Sequence, residues 1–219
     1  MPPLAVIFDV DGVLVDSYQA HFESWQRLFR DLDLDYTEQE FAAGFGRTSR
    51  EILRDKFGDE LSDERFREID LQKEHFYREA FRKSFVPMDG AAELVEALVA
   101  DGALLAIGSS GPPANVALAV DLLGIGSRFK ARVTGADVTR GKPDPQVFQL
   151  AAERLGVTPN ACAVIEDAVP GVTAANRAGM SSIGITGTTT RDRLTHANLV
   201  IDSLRELSPA RIRDLVQSR

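Results

Sequence analysis

The chain is 219 residues long, enough to bury a sizeable core as one large domain or as a core with a smaller insert. Hydrophobic residues at 44% and charged residues at 26% are ordinary globular usage. A net charge of −8 with no long basic run argues against nucleic acid or an anionic membrane as the main partner, while a few local cations could still serve a small anion in a cleft.

The apolar run at residues 4–8 ends in Asp9 and is too short to span a bilayer, so it reads as a strand buried on both faces. No signal peptide is visible, and cytoplasm is the default expectation. From about Ser17 to Ser84 the pattern turns helical and charged. Residues 19–34 form one amphipathic stretch, with Phe22, Trp25, Leu28, Phe29 and Leu32 on one side. Residues 38–45, 51–57 and 64–82 read as three more helices. Beyond them, strand and helix patterns alternate. Helices are predicted at 91–100, 113–123, 145–155 and 172–178, and strands at 104–107, 131–134, 163–165, 182–185 and 199–201. Gly102, Gly124, Gly156 and Gly179 stand where a helix would end in a left-handed residue. The alternation implies βαβ units and a mostly parallel sheet, and the helical block after the first strand implies a separate small cap. The one cysteine, Cys162, has no partner for an internal disulfide, which fits a reducing compartment. It lies in the apolar run at 161–165 and reads as a buried, inert thiol.

Four short segments carry possible chemistry, each at a predicted strand end, where ligands gather in open α/β sheets. In Phe8-Asp9-Val10-Asp11-Gly12, two carboxylates leave the strand on the same side, an arrangement that suits Mg²⁺. One could attack an electrophile while the other handles a proton. Ile107-Gly108-Ser109-Ser110-Gly111 offers hydroxyls and free amides at a helix start, an anion site. Gly141-Lys142-Pro143-Asp144-Pro145 places an ammonium on a stiff loop at a helix entry. Val164-Ile165-Glu166-Asp167, with Gly171 downstream, adds two more carboxylates where a metal could complete its shell. Singly, each has a plainer reading: a solvated acidic turn, an ordinary N-cap, a solvated lysine, or acids favoured at a helix start.

In this order, the four segments resemble the signatures of the haloacid dehalogenase superfamily: Asp-x-Asp-Gly, a strand-end Ser or Thr, a Lys before a helix, and paired acids. The resemblance spans the whole chain. The insert before Pro87-Met88-Asp89-Gly90 resembles the four-helix cap of the subfamily containing β-phosphoglucomutase and phosphoglycolate phosphatase. What this implies is an α/β fold with a Rossmann-like parallel-sheet core over residues 1–16 and 85–219 and a helical cap over 17–84. Asp9 would be the nucleophile that becomes an aspartyl phosphate, and Asp11 the general acid/base. Ser109 and Lys142 would hold the phosphoryl oxygens. Mg²⁺ would bind Asp9, the backbone carbonyl of Asp11, and Asp167, with Glu166 direct or through water. Dehalogenases of the superfamily lack the second aspartate of the pair and phosphonoacetaldehyde hydrolases carry a small residue there, so an intact Asp11 implies a phosphoester or phosphosugar substrate.

The cap is expected to decide the substrate. His21, within Asp16-Ser17-Tyr18-Gln19-Ala20-His21, resembles the hinge histidine of β-phosphoglucomutases. Arg50, in Gly46-Arg47-Thr48-Ser49-Arg50-Glu51, falls at their phosphate-gripping position, and Lys73 where they pair a lysine with that histidine. Ser110 joins His21, Arg50 and Lys73 as a candidate substrate contact. Arg47 is a cation that the mutase loop lacks, and Ser110-Gly111-Pro112-Pro113 replaces a more polar run. The leading expectation is a phosphatase of a small phosphorylated metabolite, most plausibly a sugar phosphate. The rivals are a phosphosugar mutase with the same nucleophile and a non-catalytic binding module. The resemblance also implies a monomer.

Overall fold

The computed structural model describes residues 3–44, 48–58 and 61–218. Its elements run β1 (Ala5–Phe8), β2 (Val15–Asp16), α1 (Tyr18–Asp31), α2 (Glu38–Gly44), α3 (Ser49–Phe57), α4 (Asp63–Lys83), β3 (Val86–Pro87), α5 (Ala91–Ala100), β4 (Leu104–Gly108), α6 (Pro113–Leu122), β5 (Ala131–Val133), α7 (Gln146–Leu155), β6 (Cys162–Glu166), α8 (Val169–Arg177), β7 (Ser181–Ile185), β8 (Leu199–Ile201) and α9 (Pro209–Gln217). They form two compact units, one built from the residues through Asp16 and from Val86 onward, the other from Ser17–Phe85.

The first unit is built on a six-stranded sheet in the order β5-β4-β1-β6-β7-β8, with all neighbours parallel. β1 is fully buried, as its unbroken apolar run requires of a central parallel strand. Ala5 and Ile7 join Val164, Phe148 and Ala174 in one core cluster that carries the apolar residues of α7 and α8. The alternate residue Phe8 meets Phe129 edge to face, at 6.0 Å between ring centres. The chain builds outward from β1 through β4 to β5, then starts again on the other side of β1 with β6. The reversal point lies beside β1, and at such points open α/β sheets leave a crevice at the carboxyl ends of their strands. The register puts Phe8 level with Ile107 and Ile165, so Asp9 leaves the sheet between the ends of β4 and β6.

Two features had no signal in the hydrophobic pattern. β2 and β3 pair antiparallel, Val15 with Pro87 and Asp16 with Val86, so the two chain crossings lie side by side. Two-residue strands are too short to show a period. The helix α9 follows the last predicted strand. Its signal was local: Ser208 caps it by accepting from the Arg211 N–H, and Pro209 opens the first turn.

The second unit has its own core of Trp25, Leu28, Phe29, Tyr36, Phe41, Ile52, Leu53, Ile69 and Phe76, with Phe22 and Leu32 partly buried against it. The stripe read from α1 is thus its packing face. Thr48 and Glu51 form a reciprocal capping box at the start of α3. Among the described residues no helix is long and apolar enough to cross a membrane.

Cys162 is buried at the start of β6, and burial pushes its thiol up to about 12. At pH 8 the folded protein is therefore expected to give almost no reaction with an aromatic disulfide reagent, because only about one thiol in 10⁴ would be ionised. Stoichiometric labelling should appear only in denaturant, and rapid labelling of the native chain would contradict the burial.

Candidate active site

The turn after β1 is wound around one carbonyl. The Val10 oxygen accepts from the N–H groups of Val13, Leu14 and Val15 at 3.3, 2.8 and 3.1 Å. Gly12 sits at φ 71°, and a Cβ there would overlap the Asp167 carboxylate and crowd Thr188. The glycine of the first segment thus serves both the turn and the space occupied by a carboxylate from the fourth.

Around Asp9 the structure gathers the candidates from three strand ends and one loop. Lys142 Nζ lies 2.6 Å from Glu166 Oε1 and 3.1 Å from Asp9 Oδ1, with side-chain exposures of 8% for Lys142 and 1% for Glu166. The ammonium also stands 4.9 Å from the centre of the Phe148 ring. Glu166 uses its second oxygen to accept from the Ala168 N–H at 2.8 Å, and Asp167 accepts from Thr188. A Cβ on Gly171 would overlap the Glu166 carboxylate, so that glycine too makes room for an acid. Ser109, buried at the end of β4, accepts from the Gly111 N–H at 3.0 Å. Gly111 lies between Ser109 and Asp11, whose oxygens would stand 3.3 and 3.8 Å from a Cβ placed there. Ser110 is exposed on the same loop.

The electrostatics are unbalanced. Burial raises the Asp9 pKa to about 7 against the pull of Lys142, with Glu166 and Asp11 adding to the rise. Asp167 is pushed well above the carboxylate range by burial, then by Glu166 and Asp9. Burial works against the charge on Lys142, yet Asp9 and Glu166 hold its pKa above the ordinary lysine value. Oxygens of Asp9, Glu166 and Asp167 lie within 4.8 Å of one another. Buried Asp9 Oδ1 has no hydrogen bond; its contact with Lys142 is an ion pair. A set of hard oxygen donors with more negative than positive charge and an unsatisfied lone pair fits a hard divalent cation such as Mg²⁺.

In the helical unit the structure joins His21 to Lys73, with Nδ1 3.2 Å from Nζ. His21 also stacks on Tyr77 at 4.2 Å. Lys73 is 3% exposed, pairs with Glu74 at 2.8 Å, and lies 5.3 and 5.4 Å from the rings of Trp25 and Tyr77. Arg50 is tied to that cluster through Asp70, whose carboxyl pKa is raised by burial and which feels the charges of both Lys73 and Arg50. Arg50 pairs with Asp63 at 2.9 Å and lies 4.0 Å over the Phe66 ring. Asp63 and Lys73 are ten residues apart on α4, or about 15 Å along its axis. Arg47 lies outside the described residues. Thr188, Phe148, Glu74 and Tyr77 were not singled out in the sequence. Thr188 had a usable signal, since it follows β7 at another strand end.

A family model described as haloacid dehalogenase-like hydrolase matches residues 3–179. The chain belongs to the haloacid dehalogenase-like hydrolases. Similar members of this hydrolase family include a validoxylamine A 7'-phosphate phosphatase from Streptomyces hygroscopicus subsp. limoneus, 32% identical over 204 residues, or 92% of this chain and 94% of that protein. A β-phosphoglucomutase from Bacillus subtilis is 31% identical over 189 residues, 83% of this chain and 82% of that one. Among solved structures, a HAD hydrolase of family IA, variant 3, from Entamoeba histolytica gives a TM-score of 0.89 at 29% identity, covering 98% of this chain and 99% of that one.

The raised pKa of Asp9 has a stability consequence with a definite sign. A carboxyl whose folded pKa lies above its unfolded value loses stability for the fold as pH rises from about 4 to about 7, because the fold favours the protonated form. In chelator at pH 8, Asp9→Asn is therefore expected to stabilise the hydrolase by about 1 kcal/mol or more, roughly 2–4 °C in Tm for a chain of this size. The gain should shrink towards pH 4. Equal melting temperatures at pH 8 would show that the charge on Asp9 is already compensated.

Proposed function

We propose that this hydrolase is a Mg²⁺-dependent phosphatase that transfers the phosphoryl group of a small phosphorylated metabolite, most plausibly a sugar phosphate, to Asp9 and then to water. The observation that carries the reading is the buried cluster of Asp9, Glu166 and Asp167 with the single ammonium of Lys142, set at the reversal point of the sheet. The phosphatase relative, whose name specifies a phosphorylated substrate, supports it.

Asp9 is the nucleophile, and its carboxylate must be ionised to attack phosphorus. Asp11, half-buried on the turn after β1, gives a proton to the leaving oxygen and takes one from the incoming water. Lys142 and Ser109 hold the oxygens of the phosphoryl group, so that positioning and electrostatics lower the barrier. Asp9, Asp167 and Glu166 would hold Mg²⁺, with the Asp11 carbonyl as a further candidate; the ion supplies charge neutralisation between an anionic nucleophile and an anionic phosphate. His21, Arg50, Lys73 and Ser110 are assigned to the rest of the substrate. The planar fork of Arg50 suits a phosphate or carboxylate, and Lys73 is placed by its aromatic and acidic neighbours.

A second reading, a phosphosugar mutase, is favoured by the His21–Lys73 contact and by the β-phosphoglucomutase relative. In it a sugar hydroxyl, not water, takes the phosphoryl group from Asp9.

Phosphate release from a panel of sugar monophosphates, run with and without glucose bisphosphate, separates the readings. Steady release is expected, lost by about 10³-fold or more in Asp9→Asn and abolished by chelator until Mg²⁺ is restored. Little release, with β-glucose 1-phosphate isomerised once bisphosphate is present, would establish the mutase. Turnover that persists in chelator would exclude the metal-dependent mechanism.

Arg50→Ala is expected to raise KM for the preferred sugar phosphate by about 10-fold and to leave p-nitrophenyl phosphate little affected. Equal losses on both would make Arg50 a structural residue of α3.

A further inference from the structure

Lys142 poses a problem of placement. It stands on no helix or strand, in the loop between β5 and α7, yet its ammonium meets two carboxylates at 2.6 and 3.1 Å. A lysine stem has several rotatable bonds and the neighbouring Gly141 has open space around it, so beyond the fixed ring of Pro143 the placement of the ammonium depends on how the loop is attached. The constraint must come from the loop's own attachments.

Three side chains supply them, two from helices and one from the loop itself. Gln146, the first residue of α7, reaches back with Oε1 and accepts from Thr139 N–H at 3.0 Å, Thr139 Oγ1 at 3.3 Å and Arg140 N–H at 3.0 Å. One amide oxygen thus closes the near end of the loop. Asp144 ties its middle. The Asp144 Oδ1 atom accepts from the Gln146 N–H at 3.0 Å, and Oδ2 accepts from Arg140 Nε at 2.6 Å. The far side is held by Arg177, the last residue of α8, whose Nη1 donates to the Pro143 carbonyl at 3.0 Å. Proline has no N–H, so that carbonyl is the one backbone hydrogen-bonding group Pro143 offers. α8 begins just after Glu166-Asp167, so Arg177 links the loop that carries the ammonium to the element that follows two of the carboxylates.

We propose that Gln146 and Arg177 are positioning residues that clamp the Lys142 loop and act on phosphoryl transfer only through the placement of the Lys142 ammonium. The proposal rests on the assignment of Lys142 to phosphoryl binding. Both side chains lie at or near the surface, Arg177 exposed and Gln146 half-buried, so truncating them opens no core cavity. A misplacement of about 1 Å in a catalytic group can cost about 100-fold in rate, which sets the scale of the expected effect.

The test is a mutant cycle on the Mg²⁺-supplied enzyme with p-nitrophenyl phosphate. Gln146→Ala and Arg177→Ala are each expected to lower kcat by about 5-fold, and together by about 20-fold or more, with KM changed by less than about 3-fold. Gln146→Glu and Arg177→Lys, which keep the acceptor oxygen and the donor, should recover most of the loss. In a Lys142→Ala background the same truncations should cost less than about 2-fold, because the group they place is gone. Hydrogen exchange at the Thr139 and Arg140 amides should accelerate in Gln146→Ala. An unchanged kcat in the double variant, an equal loss with and without Lys142, or amides that stay protected would each overturn the clamp. If Lys142→Ala alone retains full turnover, the assignment of Lys142 has failed and the clamp falls with it. That outcome is distinct from losses that simply add to an essential Lys142.

Discussion

Everything in the first unit bears on one unfavourable arrangement: buried carboxylates outnumber the cation that meets them at the end of β1. Two unit charges about 4 Å apart interact by about 4 kcal/mol at an effective dielectric of about 20. Asp9, Glu166 and Asp167 repel one another in three pairs, and Lys142 makes direct ion pairs with two of them. Attraction and repulsion come out similar in size, so the desolvation of the charges is left largely uncompensated. The raised pKa of Asp9 and Asp167 expresses that debt in protons. A fold holds such a cluster only where the backbone is too firmly packed to relax away from it.

The sheet provides that packing. β1 is hydrogen-bonded on both sides and has no exposed residue, so Asp9 has little freedom in direction. The backbone of Asp9 extends the ladder by one more bond, from its N–H to the Ile165 carbonyl at 3.1 Å. The neighbouring acids come from β6 by the same register, and two glycines keep the space clear. Gly12 leaves room for Asp167, and Gly171 for Glu166. In both cases a methyl group would occupy the volume of a carboxylate. These glycines are therefore part of the site, as much as the acids themselves.

This division explains what could be read from the sequence. The buried parallel strands announce themselves as apolar runs, and the predicted strands at 104–107, 163–165 and 199–201 correspond to β4, β6 and β8. The acids and Ser109 were visible because each follows such a run, and Lys142 because it stands between Gly141 and Pro143 shortly before a helix. What the sequence hid were contacts whose partners lie far apart along the chain or whose chemistry is generic. Thr188 bonds an acid 21 positions earlier, and although it follows a strand end, nothing in the sequence sets it apart from Thr189 and Thr190 beside it. The Lys142 loop advertised its lysine, while Gln146 looked like any residue at the start of a helix. Arg50, chosen by resemblance, has partners the sequence did not show: Asp63, the Phe66 ring and the charge of Asp70, all within its own unit.

The helical unit handles charge differently, and the contrast has a consequence for ligand linkage. Its buried cation, Lys73, is matched by Glu74 and lies near two aromatic rings, and Arg50 is matched by Asp63. Lys73 and Arg50 each find a carboxylate inside the unit, so the unit's own folding meets the cost of holding them. Around Asp9 the balance is left open, because the surplus there is negative and more fully buried. A group that binds the folded state and not the unfolded one stabilises in proportion to what it relieves. The electrostatic part of that gain must therefore fall mainly on the unit built around β1, where the charge is unmatched, and only weakly on α1 to α4.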